Sequence, residues 1–583
     1  LLVDGVSCLG RCDRAPAVRV SVRTDGPCPH EFFYLTSEPG AGAKSADRFA
    51  GIVKSALRER KLPRPDLDAA RKLEPPPSTW VIDPYPDEES QYGAVREFIR
   101  TMRDLKEDDG KWKPEVLKDP FQHLPILRDL LEAGLIGMGG AGGRTYKKWS
   151  DVLLNEGEVK YVVCNADESE PSTFKDRELL IHKPHLVLEG MILAGLVVGA
   201  EEGILYLRHE YPEQEFRVNQ EIARIERLRL CGQSVEGWPH RFVLRCFVSP
   251  GGYICGEQSA LIEAIEDKRA EPRNRPPELE KAGLHDRPTV VNNVETLAWA
   301  PLIAIKHGDG YREAASGRGR GLRLLSICGD VKRPGVYEVP VGVTFAELID
   351  RDDYCQGMAP GMELLAIAPA GPSGGLLPAF LPVSGLKVGE DRLELHAHIK
   401  KMIDRSKSPR PGPPPRNQRE ALEQKMAPIA GAAESKIWEK FLADAFPNGP
   451  GEWETKHIPI DVGLLRSLKV AAGAGITIIG TREKDPAKRR KQVLDLAVVA
   501  TKFFAGESCG KCVPCRLGSQ QLVRIGEGLQ AGDPPSKHAA TVSELDTLME
   551  MTSICGLGKV AANPLETLFA YFLTPPVASG AGS

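Results

Sequence analysis

Gly137-Met138-Gly139-Gly140-Ala141-Gly142 satisfies the pattern G-x-G-x-x-G, and its neighbours decide which fold it belongs to. In a dinucleotide-binding βαβ unit the pattern follows a strand and opens a helix. Here residues 124–133 carry the apolar spacing of a helix and run directly into the loop. A helix on the upstream side excludes the standard Rossmann reading. Two readings remain: a glycine loop whose successive N–H groups form an anion nest, with Lys148 nearby to supply charge, or a plain flexible turn.

Downstream, helix and strand alternate. Residues 159–164, 203–207 and 242–248 read as strands, and 185–199, 213–227 and 257–265 as helices. This alternation predicts an α/β domain over 116–315. Its first strand leads into Asn165-Ala166-Asp167-Glu168-Ser169-Glu170-Pro171. Strand C-termini are where α/β folds place ligands. Three carboxylates in four residues suit hydrogen bonding to flavin ring nitrogens and ribose hydroxyls; a solvated acidic turn is the alternative on this stretch alone.

The rest of the chain divides by composition. Residues 1–60 read as strands, including 17–22 and 31–36, followed by a helix over 47–60. Residues 61–115 are a Pro-rich, charged connector with a short helix near 94–104. A hairpin over 324–339 and a helix over 344–350 form a β-grasp-like unit, to which a strand at 476–480 returns; the unit spans 320–382 and 456–482. The stretch between, 383–455, holds Ser408-Pro-Arg-Pro-Gly-Pro-Pro-Pro-Arg416 and reads as an insertion with a semi-rigid linker rather than an SH3-type ligand. His396 and His398 alternate on an expected strand and read as surface histidines. Residues 488–575 are mostly helical in pattern.

Lys plus Arg number 76 against 80 Asp plus Glu, a net charge of −4, so bulk electrostatic binding to nucleic acid is not expected. The longest apolar stretch, 186–200, carries Glu189 and is too short to span a bilayer. Thirteen cysteines, an odd number, exclude a small secreted disulfide scaffold. The start at Leu1, without a basic leader, reads as a fragment boundary rather than a secretory signal. Clustered cysteines without an export signal suggest metal or redox work in a reducing compartment, hence a cytoplasmic location.

Four cysteines stand out: Cys509-x-x-Cys512-x-x-Cys515, then Cys555 in a Cys-Gly-Leu-Gly run. Thiolates at i, i+3 and i+6 on a tight turn can each reach a different iron of a cubane, and a distant fourth closes the site. The glycines after Cys555 let backbone N–H groups approach cluster sulfur. A four-cysteine zinc site, which usually pairs two C-x-x-C knuckles, is the alternative. Cys28, Cys164, Cys231, Cys246, Cys255, Cys328 and Cys355 read as buried thiols.

Taken in order, the glycine loop with Lys148-Trp149, Asn165–Pro171, Phe174-Lys-Asp-Arg177, Tyr253-Ile-Cys-Gly-Glu257, Asn292-Asn-Val-Glu-Thr296 and Glu507-Ser-Cys-Gly-Lys-Cys-Val-Pro-Cys-Arg516 closely resemble one family. It is the flavin-bearing NADH dehydrogenase subunit of respiratory complex I, with relatives in NAD-reducing hydrogenases and NAD-linked formate dehydrogenases. The resemblance covers about residues 120–575 apart from the insertion. Val6-Ser-Cys8-Leu-Gly-Arg-Cys12-Asp-Arg-Ala-Pro16 resembles the end of the thioredoxin-like [2Fe–2S] subunit that partners this flavoprotein. Only one cysteine pair, Cys8 and Cys12, is present, so either its partner pair lies upstream of Leu1 or no [2Fe–2S] cluster forms.

The resemblance implies an α/β multidomain protein: a thioredoxin-like remnant, an FMN-binding α/β domain, a β-grasp-like (SLBB) domain and a C-terminal helical bundle. It implies NADH:acceptor oxidoreductase (diaphorase) activity with FMN, NAD(H) and a [4Fe–4S] cluster. Partners would be other Fe–S subunits of a redox complex, with at most a peripheral attachment to the membrane. By match, Gly137, Gly139, Gly140, Gly142 and Lys148 lie at the flavin phosphate and dinucleotide. Asn165, Asp167, Glu168, Tyr253, Gly256, Glu257, Asn292 and Asn293 surround the flavin, and Glu170 lies at the nicotinamide ribose. Cys509, Cys512, Cys515 and Cys555 hold the [4Fe–4S] cluster. Four positions depart from the family: Gly143 replaces a stacking aromatic, Ile136 and Met138 replace arginines, and Gln258 replaces a second glutamate. These departures keep open an alternative, a flavin and Fe–S relay or scaffold subunit that binds no dinucleotide.

Overall fold

In the computed structural model the described residues are 79–107, 110–140, 142–238, 240–315, 320–381, 395–407, 414–445 and 453–573, plus the backbone of two early strands. Those strands, β1 (Ala17–Arg23) and β2 (His30–Thr36), pair antiparallel, with Ala17 opposite Thr36. Cys8, Cys12, Cys28 and the helix expected over 47–60 lie outside the described residues. The connector ends in α1 (Gly93–Met102), which buries Ala94, Val95, Phe98, Ile99 and Met102.

After two short helices, Pro114–Lys118 and Pro120–His123, comes α2 (Pro125–Ala133). It stops at Gly134, whose left-handed backbone (φ 67°) turns its N–H back onto the Leu130 and Leu131 carbonyls. The glycine loop follows, and α3 (Thr145–Leu154) leaves it, so the loop joins two helices. The first sheet is built from β3 (Tyr161–Ala166), β4 (Glu202–Leu207), β5 (Val243–Val248) and β6 (Thr289–Asn293), interleaved with α4 (Lys175–His182), α5 (Pro184–Val198), α6 (Pro212–Arg227) and α7 (Gln258–Ile265) and followed by α8 (Val294–Glu313). Strand β3 starts and ends two residues later than the apolar pattern predicts, because 155–160 form a turn closed by Lys160 Nζ on the Leu153 carbonyl.

All four strands are parallel, in the order β5-β4-β3-β6. The chain winds one way from β3 to β5, then places β6 on the far side of β3. The winding therefore reverses between β3 and β6, and α/β sheets bind ligands in the crevice beyond the carboxyl ends of such strands. The register brings Asn165 on β3 opposite Asn293 on β6 at that crevice. Helix α5, apolar on all sides except at His185 and Glu189, is buried along its whole length. Helices α4 and α5 together are apolar enough for a span but meet at a 93° bend, and no single described helix is long and apolar enough to cross a membrane.

A second, mixed sheet has the order β10-β9-β13-β7-β8. It comprises β7 (Leu322–Gly329), β8 (Gly335–Pro340), β9 (Glu363–Pro372), β10 (Leu377–Pro378) and β13 (Gly475–Thr481), with α9 (Phe345–Asp350) started by a Thr344/Glu347 capping box. Strands β11 (Phe380–Leu381) and β12 (Trp453–Glu454) form a separate short pair. The late strand β13 lies at the sheet centre, parallel to β7 and antiparallel to β9.

Two helices, α10 (Leu395–Lys407) and α11 (Gln418–Ala445), pack within the insertion 383–455, while most of the tract read as a linker, 408–413, lies outside the described residues. Ile399, Ile403, Ile437, Trp438 and Phe441 join the second sheet's core, and Leu422 and Met426 pack on the first. The strand expected through His396 and His398 is helical instead. The apolar spacing from Leu395 through Ile399 to Ile403 is four residues, and it prevails over a two-residue histidine alternation.

The C-terminal helices are α12 (Pro486–Glu507), α13 (Val513–Gln530), α14 (Ala539–Thr552), α15 (Gly556–Val560) and α16 (Asn563–Leu568). They close on a core of Val493, Ala497, Phe504, Leu522 and Met549, and that core continues into Leu365, Ala368 and Leu376 of the second sheet's region.

Candidate functional site

The glycine loop is a closed lobe. Gly137 N–H donates to the Gly143 carbonyl (2.7 Å), and Ile136 pairs with Arg144 across the base. Met138 N–H donates to Thr296 Oγ1 (2.9 Å), tying the lobe to α8. Gly140 (φ 103°) and Gly142 (φ 68°) adopt conformations that only glycine takes without strain. A Cβ on Gly139 would press on Asn293 at 3.2 Å. The N–H groups of Gly139, Gly140, Gly142 and Gly143 donate to no described residue. Lys148 stands beside them, and its Nζ donates only to neutral oxygens, Gln258 Oε1 (3.0 Å) and the Val291 carbonyl (3.1 Å). Burial lowers its pKa, and Glu280 is the largest opposing influence. Free amides and a half-buried ammonium without a carboxylate partner fit an anionic group such as a phosphate.

The strand ends meet this lobe. Asn165 Nδ2 donates to the Gly256 carbonyl (2.8 Å), and a Cβ on Gly256 would stand 3.0 Å from the Asp167 carbonyl. Asn292 Oδ1 accepts from Trp149 Nε1 (2.8 Å). Asn293 caps α8 through Glu295 N–H and donates to Asp176 Oδ2 (2.6 Å). Asp167 is buried: one oxygen accepts from Ser169, while Oδ2 has no hydrogen-bond partner. Burial pushes its pKa up. An orphaned buried carboxylate oxygen is costly unless a ligand donates to it, so Asp167 fits a cofactor that brings an N–H or O–H.

The other acids at this crevice hold the fold. Glu168 accepts from the N–H groups of Asp176 (2.9 Å) and Arg177 (3.2 Å) and from Tyr211 OH (3.1 Å). Burial, followed by the neighbouring Asp176 charge, raises its pKa. Glu257 caps α7 through Ser259 and Ala260 N–H (both 2.9 Å) and receives Arg275 (3.1 Å). Glu170 and Tyr253 bond to each other (2.5 Å), and Glu170 also accepts from Ser373 N–H (3.0 Å), away from the strand ends.

Cys509, Cys512, Cys515 and Cys555 line one small cavity with Ile254, Pro272, Ile554 and Leu557. Ser508 Oγ lies 3.2 Å from Cys515 Sγ. Burial raises the Cys555 thiol to about 11, opposed by hydrogen bonds from the Gly558 and Leu557 amides. Among the described residues no three His, Cys, Asp or Glu are placed to hold a single metal ion, and the four thiols line one cavity. Tetrahedral zinc needs sulfurs about 3.8 Å apart, whereas a cubane presents four separate irons. The four thiols, the apolar wall and the two amides fit a [4Fe–4S] cluster. Of the remaining described cysteines, Cys164, Cys231, Cys255, Cys328 and Cys355 are buried and Cys246 is partly so.

Two residues in the quoted motifs acquire roles that the sequence reading does not assign. Thr296 holds the lobe through Met138, and Glu507 Oε2 accepts from Tyr253 N–H (2.8 Å). Both bonds join segments more than 150 residues apart, so no local spacing announces them.

The chain matches the Nuo51 FMN-binding domain over residues 130–301 and the NADH-ubiquinone oxidoreductase-F iron-sulfur binding region over 495–575. It is 30% identical over 447 residues to an F-type subunit of the NADH-quinone oxidoreductase of Rhizobium meliloti, covering 77% of this chain and 86% of that protein. The F-type NADH-quinone oxidoreductase subunit in Escherichia coli is 30% identical over 455 residues, 77% of this chain and 82% of its own. The NAD-reducing hydrogenase HoxS subunit alpha of Cupriavidus necator is 31% identical over 448 residues, 77% of this chain and 59% of its own. A solved NAD+-reducing [NiFe]-hydrogenase in the H2-reduced state superposes with a TM-score of 0.61 at 26% identity, over 97% of this chain and 75% of its own.

Proposed function

The chain belongs to the NADH-quinone oxidoreductase F-type family, and on that premise we propose how its residues serve as an NADH:acceptor oxidoreductase module carrying FMN and a [4Fe–4S] cluster. FMN supplies a centre that accepts two electrons as hydride and releases them singly. The observation that carries the assignment is the set of free glycine amides and half-buried Lys148 at the β3/β6 crevice. These groups bind the phosphates. Asp167 Oδ2 accepts a hydrogen bond from the bound flavin, while Asn165, Asn292 and Asn293 hold the walls. Glu168 and Glu257 keep the backbones of α4 and α7 in place. Glu170 and Tyr253 line the path toward the cysteine cavity. Cys509, Cys512, Cys515 and Cys555 ligate the cluster.

In this reading residues 116–315 form the FMN domain, 320–382 with 456–482 the β-grasp-like SLBB unit, 383–455 an inserted helical pair, and 488–575 the cluster domain. Residues 61–115 link them to a thioredoxin-like remnant over 1–60, whose Cys8 and Cys12 hold a [2Fe–2S] cluster only if two further cysteines precede Leu1. Relatives are subunits of quinone-reducing and hydrogenase complexes, so the proposed partners are Fe–S chains of such a complex and the proposed location is cytoplasmic, peripheral to any membrane.

One observation favours a second reading, a relay without a dinucleotide. The lobe offers no aromatic ring at Gly143, Ile136 is exposed without charge, and Met138 is buried. The test is anaerobic purification with flavin and iron quantified, followed by NADH addition. Bound flavin that bleaches rapidly supports the dehydrogenase module. Bound flavin and iron without bleaching at high NADH supports the relay, and zinc in place of both refutes the two together.

A further inference from the structure

The short turn Tyr253–Gly256 reaches from one candidate site to the other. At its far end the Gly256 carbonyl accepts from Asn165 and stands against Asp167 in the β3/β6 crevice. In its middle, Ile254 packs on two cores, the one behind the first sheet and the one of the C-terminal helices, and also lines the cysteine cavity. At its start lie Gly251 (φ 100°) and Gly252 (φ 98°), a pair of glycines whose permissive backbone does little to fix where the turn begins.

Tyr253 supplies what the glycines lack. Its ring packs edge-on against Phe503 (5.1 Å) and Phe504 (6.4 Å) of α12, and its N–H donates to Glu507 Oε2 at 2.8 Å. Glu507 is the last residue of α12, two before Cys509. One carboxylate thus fastens the loop that carries three cysteines to the turn that walls the crevice. Two other fastenings, Lys511 Nζ on the Pro272 carbonyl (2.8 Å) and Arg269 on the Cys509 carbonyl (2.6 Å), hold the rim to residues 269–272 and do not touch the turn.

We infer that Glu507 is a positioning residue for electron exit: by holding Tyr253 N–H it keeps Ile254 seated between the flavin crevice and the cysteine cavity. This role rests on the function proposed above. It concerns the step between the two cofactors rather than hydride transfer.

The experiment compares the parent chain, E507A and E507Q as full, cofactor-loaded proteins. Hydrogen–deuterium exchange of the peptide around Tyr253 reads the contact directly. Losing one charge-assisted hydrogen bond lowers amide protection by roughly tenfold to a hundredfold in E507A, and E507Q, which keeps an acceptor oxygen, restores most of it. Flash reduction of the flavin, followed by the paramagnetic signal of the reduced cluster, reads the transfer step. E507A slows that step while the rate of flavin reduction by NADH is kept, and E507Q recovers it. Unchanged exchange at Tyr253 together with an unchanged cluster rate in E507A overturns the inference alone. Equal losses in flavin reduction and cluster reduction, not rescued by E507Q, also overturn it, because they mark a general structural role. A parent chain that binds no flavin overturns it together with the reading on which it rests.

Discussion

Replacing Gly143 with phenylalanine tests whether a dinucleotide crosses the glycine lobe. The resemblance drawn above implies an aromatic ring at this position, where this chain has glycine. The backbone at Gly143 is not left-handed, unlike that of Gly140 and Gly142, so a side chain is tolerated. A Cβ built there meets one neighbour, Lys148 Cε at 3.3 Å, the far part of a flexible chain that can yield a few tenths of an ångström. The Gly143 carbonyl keeps its bond from Gly137 N–H, because no backbone group changes. Stacking a nucleobase on an aromatic ring contributes about 1–3 kcal/mol. Allowing a few tenths for the Lys148 displacement, G143F should tighten NADH by about 1–2 kcal/mol, or roughly five- to thirtyfold. The adenine lies far from the reacting carbon, so the gain is equal in ground and transition states. It therefore appears in KM, with kcat within about twofold of the parent. G142F is the matched control: at φ 68° a bulky residue costs roughly 1–2 kcal/mol and deforms the nest, so flavin retention falls. NADH titration of flavin bleaching and steady-state KM give the readout. An NADH affinity in G143F equal to or weaker than the parent's would refute the placement of the dinucleotide over Gly143.

Three further outcomes follow from the geometry. K148M should weaken FMN binding to the apoprotein by about tenfold or more, the loss of a charge-assisted bond, while its melting temperature holds, because Lys148 bonds only neutral acceptors; flavin fluorescence titration decides. C555S should lose its iron yet keep flavin, since Cys555 lines the cysteine cavity and not the β3/β6 crevice; parallel iron and flavin assays separate the two. Glu189, buried against Tyr85 OH (2.8 Å) and Val95 N–H (3.2 Å), has a carboxyl raised from 4.5 to about 8 by burial. The native state therefore holds a proton that the unfolded chain releases. The Glu189 contribution is fully present below about 4.5 and is lost as pH rises through about 8, at roughly 1.4 kcal/mol per pH unit. E189Q should be more stable than the parent at pH 8.5 and about equal at low pH, and parallel unfolding curves at both values would contradict this.

The elements that carried a clean period were legible. The helix before the glycine loop, strands β3, β4 and β5 and the late strand β13 follow from apolar spacing, whereas β6 (Thr289–Asn293) is not among the strands read from it. What spacing cannot state is strand order, and the crevice exists only because β6 crosses to the outer side of β3. The helices of the inserted segment are hidden for a related reason. Its proline tract dominates the composition, yet Ile399 and Ile403, four residues apart, and the distant pair Ile437 and Trp438 supply apolar surface that seats two helices on an existing core. A tract is read by its average, whereas packing is decided by which few residues share a face.

The acidic turn shows where the same limit falls in the site. Asp167, Glu168 and Glu170 stand within four residues, chemically alike and equally available to a ligand by sequence. The fold assigns them differently. Glu168 faces the start of α4 and is filled by two backbone amides and a tyrosine hydroxyl; Glu170 is taken by Tyr253 and Ser373. Only Asp167 keeps a buried oxygen without a donor. The distinction arises from partners 8 to 203 residues away, which arrive once α4, β4 and the second sheet are in place. A buried carboxylate already satisfied by the chain gains little from a ligand, whereas one left unsatisfied makes the empty crevice costly and the loaded one stable. Substituting Glu168 should thus lower stability first and flavin affinity only through it. Asp167→Asn should lower flavin affinity with the melting temperature unchanged or raised, and the reverse ranking in paired melting and flavin-titration measurements would exchange their roles.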